Sequence, residues 1–122
     1  MARILVVDDD EGVRSFIAEA LETSGHQVTE AGSGEEAMRS LQSHSYQLLI
    51  TDLRMPGQGG MALLRQARSL WPELELIVLT AFGTVQSAVE AMKLGAFDFL
   101  QKPLPNPESL RLLVARAIER SS

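Results

Sequence analysis

Ile4-Leu5-Val6-Val7-Asp8-Asp9 runs four apolar residues straight into two acids. The run has no alternating polar face, so it reads as a central strand covered on both sides. Acids at the C-terminal end of such a strand stand where open α/β sheets bind their ligands. Adjacent carboxylates repel, and without a partner at least one has its pKa raised. The simplest partner is a hard divalent cation such as Mg2+, which takes carboxylate and water oxygens. One acid can instead cap the following helix. Asp10 is placed for that duty, which leaves Asp8 and Asp9 to be explained.

Outward from this strand, short apolar runs alternate with stretches of helical period. The pattern predicts strands over 3–7, 27–31, 47–51, 75–79 and 97–100, and helices over 11–24, 34–43, 59–70, 84–94 and 107–120. Asp10 caps the first helix, Gly25 suits its stop, and Val13, Phe16, Ile17, Ala20 and Leu21 form its apolar face. Ser33 and Glu36 read as a capping box for the second helix, with Ala37, Met38 and Leu41 inward. Asn106 followed by Pro107 opens the last helix. Strict βα alternation implies a parallel sheet with helices on both faces. Right-handed crossovers then favour an α/β, doubly wound, flavodoxin-like (βα)5 fold with strand order 2-1-3-4-5. There is no internal repeat or linker, so residues 1–122 read as one domain, with Glu119–Ser122 as its exit.

Charge and composition narrow the function classes. The net charge of −5 argues against direct nucleic acid binding and against anionic membranes. No apolar run approaches the roughly 20 residues of a membrane span. No signal peptide precedes the first strand. With no cysteine, disulfides and thiolate metal sites are excluded, and the chain suits a reducing cytoplasm.

The later strands also end on polar groups. The third, Leu48–Thr51, leads to Asp52; the fourth, Leu76–Leu79, leads to Thr80; the fifth, Phe97–Leu100, leads to Gln101 and Lys102. In a parallel sheet these ends share one edge, so Asp8, Asp9, Asp52, Thr80 and Lys102 gather at one mouth. Taken singly, Asp52 can cap a turn, Thr80 can cap a helix, and Lys102 can be a solvated charge. Together they suit phosphoryl chemistry. Acids hold a metal and one serves as nucleophile, while hydroxyl and ammonium bind the oxygens of the transferred group.

In ILVVDDD (4–10), LLITDLRMPG (48–57), IVLTAFG (77–83) and GAFDFLQKP (95–103), the chain resembles the receiver domains of two-component response regulators. The resemblance covers essentially the whole chain. It implies that Asp52 is the phosphoacceptor, taking its phosphoryl group from a sensor histidine kinase. It implies that Asp8 and Asp9 hold Mg2+, with Asp9 the direct ligand, and that Asp52 and the backbone carbonyl of Arg54 complete the metal's protein ligands. Thr80 would hydrogen-bond the phosphoryl group, Lys102 would pair with it, and Phe99 matches the aromatic switch position. The Lys102–Pro103 bond would be cis. The phosphorylated protein would draw Thr80 in, let Phe99 follow, and change the surface of the fourth helix, fifth strand and fifth helix. Phe99 also reads as plain core.

The stretch TAFGTVQSAVEAMKLGAFDFLQKP (80–103) is similar to receivers of NtrC-like transcription activators, which carry downstream ATPase and DNA-binding domains. The chain is then an excised N-terminal domain or a stand-alone receiver. A homodimer through the fourth helix and fifth strand, with or without the fifth helix, fits apolar Val85, Ala88, Val89 and Met92. Gln58 and Gly59 depart from the family pattern, and glycines at 57, 59 and 60 predict a loose loop there. Arg54 and Phe82 occupy positions that tune dephosphorylation in the family. His26 and His44 read as surface residues, Trp71 as a partly exposed helix-end packer, and Met55 and Met61 as packing.

Two other functions compete. A small-molecule phosphatase or phosphotransferase with an aspartyl-phosphate intermediate usually needs a second acid two residues past the nucleophile, where Arg54 stands. A flavodoxin-like cofactor binder needs a phosphate-cradling loop after the first strand, where acids stand instead.

Overall fold

The computed structural model describes residues 1–55, 59–81 and 85–121. In chain order the elements are β1 (Arg3–Val7), α1 (Glu11–Glu22), β2 (Gln27–Ala31), α2 (Gly34–Ser43), β3 (Leu48–Asp52), α3 (Gly59–Leu70), β4 (Glu75–Thr80), α4 (Val85–Lys93), β5 (Asp98–Gln101) and α5 (Pro107–Ser121). The five strands are parallel, in the order β2-β1-β3-β4-β5. This is the flavodoxin-like arrangement expected from the alternation of elements.

Alternate residues of each central strand feed opposite cores, as a period of two requires. Leu5, Val7, Leu49, Leu76 and Val78 pack on Ala37 and Leu41 of α2, Leu63, Leu64 and Ala67 of α3, and Ala91 of α4. Ile4, Val6, Leu48, Ile50, Ile77 and Leu79 pack on Ile17 and Leu21 of α1 and Leu110, Val114 and Ala117 of α5. Met55, Met61 and Trp71 pack against the first cluster, half-buried.

The strand ends differ from the sequence reading by a residue. β3 continues to Asp52, which lies in register with Leu79. β4 continues to Thr80, which lies in register with Gln101. β5 accordingly begins at Asp98 rather than at residue 97. α1 stops at Glu22 rather than at residue 24, because the Thr23 hydroxyl donates to the carbonyls of Glu19 and Ala20 and Gly25 turns the chain at φ +88°. Phe16, expected on the buried face of α1, sits at the margin of the apolar stripe and is 39% exposed. No helix among the described residues is long and apolar enough to cross a membrane.

The caps follow the sequence. Asp10 Oδ1 accepts from the N–H groups of Gly12 and Val13 at 2.8 and 3.3 Å. Asn106 Oδ1 accepts from Ser109 N–H at 2.8 Å. Ser33 Oγ accepts from Glu36 N–H, while the Glu36 carboxylate reaches back to Gly32 N–H.

Candidate functional site

The mouth forms where β1, β3, β4 and β5 end. Val7 is the last residue of β1, so Asp8 turns out of the sheet into a fully buried position. Its backbone is tied twice: Asp8 N–H donates to Ala31 O at 3.2 Å, and Arg14 Nη1 donates to Asp8 O at 2.7 Å. Asp10 N–H donates to Asp8 Oδ1 at 2.9 Å. Asp9 is exposed. Asp52 closes β3, is 5% exposed, and accepts at Oδ1 from Arg54 N–H at 3.0 Å. One carboxylate oxygen from each of Asp8, Asp9 and Asp52 lies within 4.8 Å of the other two.

Lys102 leaves β5 toward these acids. Its N–H donates to Thr80 O at 2.8 Å, which fixes where its stem begins. Its Nζ lies 2.8 Å from Asp8 Oδ2 and 3.1 Å from Asp52 Oδ2. The ammonium therefore bridges two acids. The Thr80 hydroxyl donates across the sheet to Leu100 O at 3.5 Å. The Lys102–Pro103 peptide is cis, as the family resemblance implied.

Among the described residues the mouth gathers three carboxylates around one ammonium that bridges two of them, so it is short of positive charge. Burial pushes the Asp8 carboxyl above its ordinary value of 3.8. The Lys102 and Asp10 hydrogen bonds only partly oppose burial, and the Asp52 charge adds to it. Burial also works against the Lys102 charge, but hydrogen bonds and attraction from Asp8 and Asp52 outweigh it and hold the amine above 10.5. Asp8 Oδ2 meets the Lys102 ammonium as an ion pair and has no other polar partner among the described residues. A buried oxygen with unmet acceptor capacity, among oxygen-only donors, fits a hard divalent cation. The acidic cluster has the donor set to hold a metal ion.

The structure brings Asp8, Asp9, Asp52 and Lys102 together. Thr80 stands at the same edge with its hydroxyl turned to β5. Phe99 is 38% exposed on the outer side of β5, not core. Arg54 presents its N–H to Asp52. Of the three loop glycines, Gly57 and its neighbour Gln58 lie outside the described residues, as does Phe82. Gly59 adopts φ +80°, a conformation that favours glycine. Sequence reasoning missed Arg14. Its signal was a basic residue in the first turn of a helix, where the macrodipole disfavours one.

A family model described as response regulator receiver domain matches residues 4–115. The chain belongs to this family. Its relatives include NtrC, a DNA-binding transcriptional regulator of Escherichia coli, 40% identical over 115 residues covering 94% of this chain and 24% of NtrC. The response regulator protein FleR of Pseudomonas aeruginosa is 37% identical over 117 residues, covering 96% of this chain and 25% of FleR. A receiver domain protein from Clostridium thermocellum superposes with a TM-score of 0.91 at 36% identity, covering 98% of this chain and 96% of that one. This receiver domain thus resembles the NtrC-like subgroup and spans about a quarter of the length of these curated relatives.

Proposed function

We propose that this receiver domain accepts a phosphoryl group on Asp52 from the phosphohistidine of a sensor histidine kinase in the cytoplasm. An Asp52 carboxylate oxygen forms the bond to phosphorus as the phosphorus–nitrogen bond breaks. The leaving imidazole takes the electron pair. Such transfer needs positioning and charge neutralisation more than covalent help. The observation that carries the reading is Lys102 Nζ, 3.1 Å from the Asp52 carboxylate within a cluster of three acids. Arg54 N–H orients the carboxylate, and Lys102 moves from Asp52 to the incoming phosphoryl oxygens. Asp8, Asp9, Asp52 and the Arg54 carbonyl would hold Mg2+, which when bound neutralises acid charge and gathers phosphoryl oxygens. The domain is a switch that promotes its own phosphorylation and dephosphorylation, and its product is its own phosphorylated form.

The output reading follows from what lies outward. Thr80 releases Leu100 O for the phosphoryl group, and Phe99 turns inward. Val85, Val89 and Met92 on α4, Phe99 on β5 and Leu112 on α5 are exposed apolar residues. A second copy or an output domain would cover them, and the relatives' transcriptional role makes ATPase and DNA-binding domains the expected output. A protein donor is favoured over a small phosphate ester by the rim of the mouth. There Val13, Phe16, Pro103 and Leu104 line an apolar cavity of about 370 Å3 beside Lys102. Incubation with Mg2+ and acetyl phosphate or a donor kinase tests the reading. Stoichiometric, base-labile label that disappears in Asp52→Ala supports it, and continuous turnover of a small phosphate ester would sink it.

A further inference from the structure

We infer that Gly60 is a positioning residue for the phosphoacceptor, an inference that rests on the reading of Asp52 above. A β-carbon built on Gly60 would fall 1.7 Å from the Asp52 carbonyl oxygen, 2.7 Å from its carbonyl carbon and 2.8 Å from Leu53 Cα. All three are backbone atoms, so no side chain can rotate away to make room. The first turn of α3 is seated directly on the peptide that follows the nucleophile. That carbonyl is held from a second side, where the Thr51 hydroxyl donates to Asp52 O at 3.0 Å. Leu53 N–H donates to Leu79 O at 3.1 Å just beyond it. The chain that leaves the sheet at Asp52 is thereby closed on itself at Gly60.

A side chain at position 60 forces the two backbones apart by about an ångström or more. α3 cannot easily retreat, because Leu63, Leu64 and Ala67 are fully buried against the sheet. Asp52 is the last residue of its strand and is the end that gives way. Moving it carries the carboxylate off Lys102 and off the line of attack. A misplacement of about 1 Å in a positioned reactant costs on the order of 10²-fold in rate. Gly60 is thus a steric requirement of the reacting group, opposite in sense to a glycine that merely loosens a loop.

The test compares Asp52 labelling by acetyl phosphate with saturating Mg2+, per folded molecule, in wild type, Gly60→Ala, Thr51→Val and Gly25→Ala. Gly25 is the matched control. It has φ +88° and open space around it, so alanine there strains the backbone far from the mouth. The maximal labelling rate of Gly60→Ala should fall about 10²-fold. The half-saturating acetyl phosphate concentration should stay unchanged, and Gly25→Ala should label as wild type. Wild-type labelling in Gly60→Ala overturns the inference. If Gly60→Ala does not fold, Thr51→Val decides: a several-fold slower maximal rate supports it and an unchanged rate overturns it. A wild type that takes no label counts against the reading of Asp52 rather than the placement. The Mg2+-induced shift of the Asp52 amide resonance then tests the placement, and it should change in Thr51→Val or Gly60→Ala but not in Gly25→Ala.

Discussion

Lys102 Nζ lies 2.8 Å from Asp8 Oδ2, an oxygen with no other polar partner among the described residues. The same nitrogen is 3.1 Å from Asp52 Oδ2. One cation therefore holds two buried acids together. Lys102→Met leaves both acids without it. Removing one partner of a buried pair costs about 3–5 kcal/mol when water is excluded. Lys102 keeps 27% of its side chain in solvent, so roughly 1–3 kcal/mol is expected here. Urea unfolding measures this. The maximal labelling rate should fall by roughly 10²–10³-fold, the usual loss for one electrostatic donor. Labelling at the wild-type rate would remove Lys102 from the reaction.

Mg2+ should stabilise the fold by binding only where the three acids converge. At about 100 times its dissociation constant a ligand adds roughly 2.7 kcal/mol, a rise in Tm on the order of 10 °C for a domain of this size. Asp8→Asn should abolish that rise. With chelator present the same variant should melt higher than wild type. The sign follows from burial. A folded pKa raised above 3.8 means that Asp8 contributes most stability below 3.8 and loses it as the pH rises through the folded value. At neutral pH its charge is a cost that asparagine relieves. A chelated Asp8→Asn that melts below wild type would show that the Lys102 contact outweighs burial.

Asp10 is separable from its neighbours. Its carboxylate serves the N–H groups of Gly12 and Val13, and only its backbone touches Asp8. Asp10→Ala should cost about 1 kcal/mol, the usual loss of an N-cap, and leave the Mg2+-induced rise in Tm intact. Calorimetry with and without Mg2+ distinguishes this from a metal ligand, whose loss would remove the rise.

The sheet was legible because its signals are local and agree with one another: apolar runs without alternation at β1, β3 and β4, and caps at Asp10, Ser33 and Asn106. Asp8, Asp9, Asp52 and Lys102 were legible because a parallel sheet sends every strand's C-terminal end to one edge. The one-residue slips at Asp52, Thr80 and Gln101 were not, since a neighbour's register decides where a strand ends. Arg14 and Gly60 act through contacts with Asp8 and Asp52 that no spacing in the chain encodes. Lys102 was expected at this edge, and its partners there, Asp8 and Asp52, follow from the same placement.

Phe99 stands 38% exposed while the Thr80 hydroxyl faces Leu100 O. If the two move together, phosphorylation should bury Phe99. Fluorinated phenylalanine gives a resonance whose solvent isotope shift reports exposure. The shift for Phe99 should shrink on phosphorylation in wild type and stay unchanged in Thr80→Ala, which still takes label. A Phe99 shift that is the same with and without label would uncouple the ring from the site.

His26 gives the fold a pH response distant from the mouth. Its Nδ1 accepts from Ala2 N–H at 3.1 Å, at the start of β1. Burial, then the charge of the N-terminal amine, lowers its pKa below 6.5. A protonated ring has no acceptor left, so the charged form loses this bond. The unfolded chain takes up the proton first as the pH falls. His26 therefore contributes its full stability above 6.5 and loses it as the pH drops through 6.5 to the lower folded value. Denaturant titrations on either side of that window should show wild type weakening on acidification. His26→Asn keeps an acceptor that does not titrate, and its stability should change less over the same window. Equal slopes in the two proteins would mean that the Ala2 bond survives protonation or contributes nothing.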